Sequence, residues 1–389
     1  MAIKRPNSAG AVAVWAITPD GAALAKAVAD AITGSDLFVS ASLADRMPGA
    51  ATFGRLADAV AAHFSAYRGH VFIMSTGIVV RTIATRLRHK AQDPAVVVMD
   101  EGGRHAISLV SGHIGGANRL AAVVAEAVGA EPVITTATDV QGVPAIDLIA
   151  GRRQLAIENP EAIKHVNMAL LTGSRIAVHD PYGFLGSALP EGQVTVVAEN
   201  PEGQHPGDAA ISVDDIRRDL SHRWLRLRPP VLAAGVGCNR NTPVSEIKGL
   251  LTEVLEDHRL AAGSLTCLAT IDIKRDEAGL VALAEEMALP LKFYSREQLD
   301  RVRGVANPSA MVKKHVGVDS VCEAAAILGT DNGRLIVPKQ RTKNVTVAIA
   351  RRASLSSGSG RAAWTTSPSG RWTCSPPWRP WPVTPLTSN

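Results

Sequence analysis

The sequence predicts an α/β protein, with two parallel-sheet α/β domains flanking a small, variable middle domain and a disordered C-terminal tail. Three observations carry this reading. Short β-rich runs alternate with Ala-rich stretches whose apolar residues recur at helical spacing, the pattern of a parallel sheet covered by helices. Aromatic residues make up 4% of the chain against 46% hydrophobic overall, so the core must be built from Ala, Val, Leu and Ile, as strands buried on both faces usually are. At 389 residues, the chain also exceeds what one hydrophobic core organises.

Taken in order, Ala11 to Ile17 reads as a strand ending in a Thr18-Pro19-Asp20-Gly21 turn, and Gly21 to Thr33 as a helix. Further strands are expected at Val71 to Ser75, Val96 to Asp100 and Val133 to Thr136, completing a domain over 1–145. From 146 to 228 the runs shorten and mix with Pro, Gly and charge, which predicts the middle domain, closed by the Arg228-Pro229-Pro230 linker. Regular pattern returns over 229–351: strands at Val231 to Val236, Leu265 to Ile271, Leu335 to Val337 and Val345 to Ile349, and helices at Pro243 to Asp257 and Leu280 to Met287. Ala353 to Asn389 holds four of the six tryptophans, six prolines and no acid, with neither helical nor strand period. Such a segment, 352–389 in domain terms, cannot bury enough to offset its ordering entropy and is expected to be disordered.

The formal net charge of +5 comes entirely from residue 351 onward, where five arginines, Arg351 and four in the tail, face no acid. A neutral body without a basic helix gives no reason to expect nucleic acid as a partner. Four cysteines far apart, without C-x-x-C, argue against a zinc site or a disulfide framework and fit a reduced, cytoplasmic setting. No apolar stretch approaches the roughly 20 residues that span a bilayer, so no membrane partner is expected. No metal site is expected either.

Chemistry is sought at strand ends, because ligands of open α/β sheets bind beyond the carboxyl ends of strands. The densest constellation runs from Asp100 to Asn118, D-E-G-G-R-H-A-I-S-L-V-S-G-H-I-G-G-A-N. Read as one loop from strand to helix, it offers Gly112, Gly115 and Gly116 for close backbone approach and the first helical amides as an anion site, or else glycines that turn the chain and an Asn118 that caps the helix. His113 is the candidate base, with Glu101 or Asp100 behind it; a structural histidine and a plain turn are the alternatives. Thr76, Gly77 and Arg81 at another strand end, with Arg104, suit carboxylate binding. Ser111, Thr136 and Asp139 add hydroxyls and an acid, and Gly237 and Asn239 open the C-terminal domain, with Thr242 as helix cap before Pro243. That G-V-G-C-N-R-N lacks the dinucleotide spacing. Cys238 reads as a small buried hydrophobe, and Ser309 and Asp319 as helix caps before ligand contacts.

The runs S-T-G-I-V-V-R-T-I-A (Ser75 to Ala84), D-P-A-V-V-V-M-D-E-G-G-R-H-A-I-S-L-V-S-G-H-I-G-G-A-N (Asp93 to Asn118), P-V-I-T-T-A-T-D (Pro132 to Asp139), G-V-G-C-N-R-N-T-P (Gly235 to Pro243), V-A-N-P-S (Val305 to Ser309) and K-N-V-T-V-A-I-A-R (Lys343 to Arg351) closely resemble the cobalt-precorrin-5A hydrolases of anaerobic cobalamin synthesis. The resemblance spans about residue 10 to 351. It implies opening of the ring A lactone of cobalt-precorrin-5A and release of the C20 fragment as acetaldehyde, giving cobalt-precorrin-5B. It also implies a tetrapyrrole substrate that carries its own cobalt, with no protein-held cofactor, and contacts with other enzymes of the pathway. The mechanism expected is activation of water by His113, backed by Glu101 or Asp100, with amides of the Gly112 to Asn118 loop holding the oxyanion. A non-catalytic corrinoid-intermediate carrier is the alternative, and a nucleotide-binding regulator is disfavoured because no P-loop lysine is present. The tail departs from the family. Back-translated with GC-rich codons in a shifted frame, Ser354 to Thr366 can give V-V-G-L-G-P-G, which resembles the opening of a precorrin C17-methyltransferase and points to a frameshift in a fused gene.

Overall fold

Alternation along the first strand sets the architecture. In β1 (Val12–Ala16) every residue is buried. Val12, Val14 and Ala16 pack with Ala22, Ala25 and Val28 of the helix that follows, whereas Ala13 and Trp15 join Phe38, Phe64 and Phe72 on the opposite face. A strand apolar on both faces needs helices on both faces, which the flanking sequence provides. The computed structural model describes residues 12–88, 92–113, 115–198, 200–204, 207–303, 305 and 321–353. The expected contacts at Asn307-Pro308-Ser309 and Asp319, and the tail from 354, lie outside the described residues.

The described chain divides into two compact units, the first ending at Leu148 and the second starting at Ile149. In the first, β1 pairs with β2 (Asp36–Ser40) and β4 (Gly69–Ile73), β2 with β3 (Ala51–Phe53), and β4 with β5 (Ala95–Met99), all parallel. Two further strands, β6 (His105–Val110) and β7 (Glu131–Val133), complete a sheet ordered β3-β2-β1-β4-β5-β6-β7. Helices α1 (Pro19–Ala31), α2 (Leu56–His63), α3 (Thr76–Ile83) and α4 (Ala117–Val128) cover it. The predicted Thr18–Gly21 turn is instead the start of α1. The Thr18 hydroxyl accepts from the Gly21 amide at 3.2 Å, and Pro19 takes the first helical turn, where its missing N–H costs nothing.

One difference changes the geometry of the site. Asp100 to Asn118 is not a single loop, because β6 turns back antiparallel to β5, with Val98 opposite Ile107 and Val96 opposite Val110. Asp100 closes this hairpin by accepting the amides of Arg104 at 3.1 Å and His105 at 2.7 Å. β7 then runs parallel to β6. The carboxyl ends of β6 and β7 therefore lie at the end of the sheet opposite to those of β1, β4 and β5.

In the second unit, β8 (Ala156–Ile157), β9 (Ile176–His179), β10 (Val194–Val196), β11 (Ala209–Val213) and β12 (Trp224–Arg228) form one mostly parallel sheet. β13 (Leu232–Cys238), β14 (Leu265–Ile271) and β15 (Leu291–Tyr294) are parallel in the other, and β17 (Val345–Arg351) and β16 (Arg334–Arg341) extend it antiparallel. The middle segment is thus more regular than its sequence announces; strands of two and three residues leave too little alternation to read. Buried Asp215 joins the two sheets, bound by the Tyr182 hydroxyl and by Arg351 at 2.8 Å.

Candidate active site

The first unit's sheet presents two chemically different ends. At the carboxyl ends of β1, β4 and β5 stand Thr76, Gly77 and Arg81 of the β4–α3 passage and Asp100, Glu101 and Arg104 of the hairpin turn. Arg81 and Arg104 are exposed. Backbone bonds from His105 and Arg104 hold the Asp100 carboxyl below its ordinary pKa, although burial alone would raise it. Glu101 is exposed.

At the other end, beyond β6 and β7, side chains from two further segments converge on His113. Ser111 to Gly116 links β6 to α4. Thr138 and Asp139 belong to α5 (Ala137–Val140), and Asp147 lies in the first turn of α6 (Ile146–Arg152). His113 Nε2 meets Asp139 Oδ2 at 2.9 Å and the Thr138 hydroxyl at 3.0 Å, and Nδ1 faces Asp147 Oδ2 at 3.4 Å. The Asp147 carboxylate facing Nδ1 raises the His113 pKa most. Burial opposes it and Asp139 reinforces it. Asn118 donates to Asp139 Oδ2 at 3.0 Å and to Thr136 Oγ1 at 2.9 Å, and accepts from Ser108 at 2.7 Å. The Thr136 hydroxyl donates to the same Asp139 oxygen. Burial would lift the Asp139 carboxyl, but these donors and the neighbouring imidazole hold it below its usual value.

This geometry corrects the expected pairing. Six residues of hairpin strand, at about 3.4 Å each, separate His113 from Asp100 and Glu101, so neither stands behind it; Asp139 and Asp147 do. Three of the loop amides expected to grip an oxyanion are occupied: Gly116 donates to His113 O, Ala117 to Ser111 O and Asn118 to Gly112 O, each within 3.0 Å. Nor does Asn118 cap α4; that position belongs to Gly116, at φ +86°. Glycine is required at 112 and 115 by the loop's own packing: a Cβ on Gly115 would lie 2.2 Å from Ser111 Cβ, and one on Gly112 2.7 Å from Asn118 Oδ1. Ser111 adopts φ +61°, and its buried hydroxyl has no hydrogen-bond partner among the described residues. Strain of this kind in a non-glycine residue gathers at functional sites.

Asp147 had no signal in the sequence. It lies 34 positions beyond His113 in an ordinary amphipathic helix start, and only the fold joins the two. His113 meets its two carboxylates through different ring nitrogens, so the set does not converge on one ion, and among the described residues no group of three His, Cys, Asp or Glu side chains could hold a metal.

In the second unit, Asn239 lies beyond β13, its amide on Asn344 O at 2.8 Å and its side chain on Asn344 Oδ1 at 3.1 Å. Gly237 is needed beside Thr346, whose hydroxyl would lie 2.7 Å from a Cβ. Thr242 is not the cap of α8 (Val244–Asp257); Pro243 holds that position and the Thr242 hydroxyl donates back to Asn239 O. Burial raises the thiol pKa of half-buried Cys238, which leaves it a poor nucleophile.

A strand-end histidine held between two carboxylates, on an α/β scaffold, is the equipment of an acid–base enzyme. Family models described as cobalamin synthesis G N-terminal, cobalamin biosynthesis central region and cobalamin synthesis G C-terminus match residues 58–139, 144–229 and 232–350. The chain is 35% identical to a cobalt-precorrin-5A hydrolase of Salmonella typhimurium over 347 residues, covering 87% of this chain and 97% of that protein. A second, from Priestia megaterium, is 35% identical over 297 residues, covering 74% and 79%. The chain belongs to the cobalt-precorrin-5A hydrolase family, and is a hydrolase of cobalamin biosynthesis. Among solved structures, a cobalamin biosynthesis protein G homolog from Sulfolobus solfataricus aligns over 88% of this chain and 97% of its own, at 21% identity and a TM-score of 0.34. No helix among the described residues is long and apolar enough to cross a membrane.

Proposed function

We propose that this chain hydrolyses cobalt-precorrin-5A, opening its ring A lactone and releasing the C20 fragment as acetaldehyde to give cobalt-precorrin-5B, and that it does so in the cytoplasm. The observation that carries the site assignment is the ordering of Asp139. Three donors converge on its Oδ2, while no described residue donates to Oδ1 and the side chain stays 35% exposed. An ionised carboxylate so held, with one oxygen open, suits orienting and deprotonating a water aimed at the lactone carbonyl. His113, with both ring nitrogens on carboxylates and its pKa raised, is better equipped to carry a proton than to take one. It serves as the acid that protonates the C20 oxygen as the acyl–oxygen bond breaks. The neutral His113 ring then takes the proton back from the freed C20 hydroxyl as the carbon–carbon bond to C20 breaks, which turns that oxygen into the carbonyl of acetaldehyde, the bonding pair passing into the macrocycle.

Ser111, Gly112, Gly115, Gly116, Asn118 and Thr136 shape the reacting end under this reading. The macrocycle brings the cobalt, and the protein holds no cofactor of its own. Thr76, Gly77, Arg81 and Arg104 stand at the other end of the sheet and take no part in the bond-breaking steps. Gly237 and Asn239, in the second unit, take no part in these steps. The test is incubation of the purified chain with cobalt-precorrin-5A: acetaldehyde and the lactone-opened product are expected in equal amounts. Binding of the corrinoid without either product would instead make the chain a carrier of pathway intermediates.

A further inference from the structure

We propose that Asp147 is the positioning residue of the site, fixing the orientation and the second proton of His113; this rests on the reading of His113 given above. Asp147 cannot work on substrate directly. Its side chain is 3% exposed, against 35% for Asp139. What it meets is the ring nitrogen turned away from Asp139, at 3.4 Å. A neutral imidazole carries one N–H and could satisfy one carboxylate, leaving the other facing a lone pair. The two carboxylates are satisfied together only by the doubly protonated ring, since the Thr138 hydroxyl could donate to a bare Nε2 but would leave Asp139 against a lone pair. The ionisable side chains that face His113 among the described residues are these two carboxylates, and neither is cationic. Removing Asp147 would release the ring to rotate and lower its affinity for the second proton.

The test combines NMR titration of His113 with steady-state turnover in the full chain, for wild type, Asp147→Asn and Asp147→Glu. In wild type, the ring is expected to titrate above an ordinary histidine. In Asp147→Asn its titration should move down by about one pH unit or more. kcat should fall at least about tenfold, with KM within about twofold, and the basic limb of the pH profile should move to lower pH. Asp147→Glu, which keeps the charge, should recover part of both. A His113 titration unmoved in Asp147→Asn, or a kcat unchanged, overturns the proposal. Should Asp147→Asn fail to fold, the wild-type titration decides: a His113 ring that titrates no higher than an ordinary histidine is equally fatal. If His113→Ala turns over at the wild-type rate, the site reading falls, and the titration alone then judges Asp147.

Discussion

The two ends of the first unit's sheet carry similar residue types and use them differently. At the Asp100 end the carboxylate is spent on its own hairpin, accepting the Arg104 and His105 amides, and the arginines extend into solvent. At the His113 end the polar groups engage one another across four segments, with a strained Ser111 and glycines pressed against the loop they belong to. Local hydrogen bonds close a turn, whereas bonds between residues distant in sequence fix side chains in one geometry, which a reacting group requires. Conserving a charge is therefore expected to matter less at the first end than holding a shape at the second.

A second contrast within this unit is between its histidines. His70 is fully buried among Trp15, Phe64 and Phe72. It accepts from Trp15 Nε1 at 3.1 Å, and its other nitrogen meets the Phe64 carbonyl at 3.0 Å, so the neutral ring is satisfied. Burial pushes its pKa down to about 4 from 6.5. Acid stability should register this. The unfolded chain takes up His70's proton near pH 6.5 while the folded one refuses it until about pH 4, so stability drains away as pH falls between those values, by about 3 kcal/mol in all. His113, with a raised pKa, acts in the opposite sense: its contribution is complete below pH 6.5 and is lost as pH rises through its folded value. Calorimetry of the first unit's transition from pH 7 to 4 should show the acid loss in wild type, and most of it should vanish in His70→Gln.

Smaller effects separate the two ends by glycine. Gly115→Ala places a Cβ 2.2 Å from Ser111 Cβ and 2.7 Å from Ser111 O, where neither neighbour can yield without moving the loop. A loss of about 1–3 kcal/mol is expected, with a fall in turnover. Gly77→Ala meets only the end of Arg81 at 3.5 Å and should lie within about 0.5 kcal/mol of wild type. Equal melting temperatures for the two variants would remove the distinction between a packed loop and an open one. Smallest of all, Arg104→Ala, at a side chain 83% exposed, should change neither stability nor turnover appreciably.

Much of this molecule was legible in its sequence. The strand over Leu265–Ile271 is where its β-branched run and flanking turns place it, and α1, α4 and α8 follow their apolar periods. The segment from Asp100 to Asn118 also stood out in the sequence, and its His113 does enter a cluster of polar side chains. What it hid was a reversal of direction. His105–Val110 alternates only weakly, with one buried residue, Ala106, among five that are partly or fully exposed, and the preceding glycines looked like the interior of a loop. That one antiparallel strand carries His113 to the far end of the sheet and exchanges Asp100 and Glu101 for Asp139 and Asp147 as its neighbours. No pattern local to either segment encodes the exchange, because it follows from pairing between strands.

The measurement that bears most directly on the central claim is acetaldehyde release by four variants side by side: His113→Ala and Asp139→Asn from one end, Asp100→Asn and Glu101→Gln from the other. Loss of a proton-transfer group lowers the rate by about 10²–10⁴, so the first pair should fall by at least about a hundredfold while the second pair stays within a few-fold of wild type. Wild-type rates in the first pair, or a collapse confined to the second, would contradict the placement of the chemistry at the His113 end.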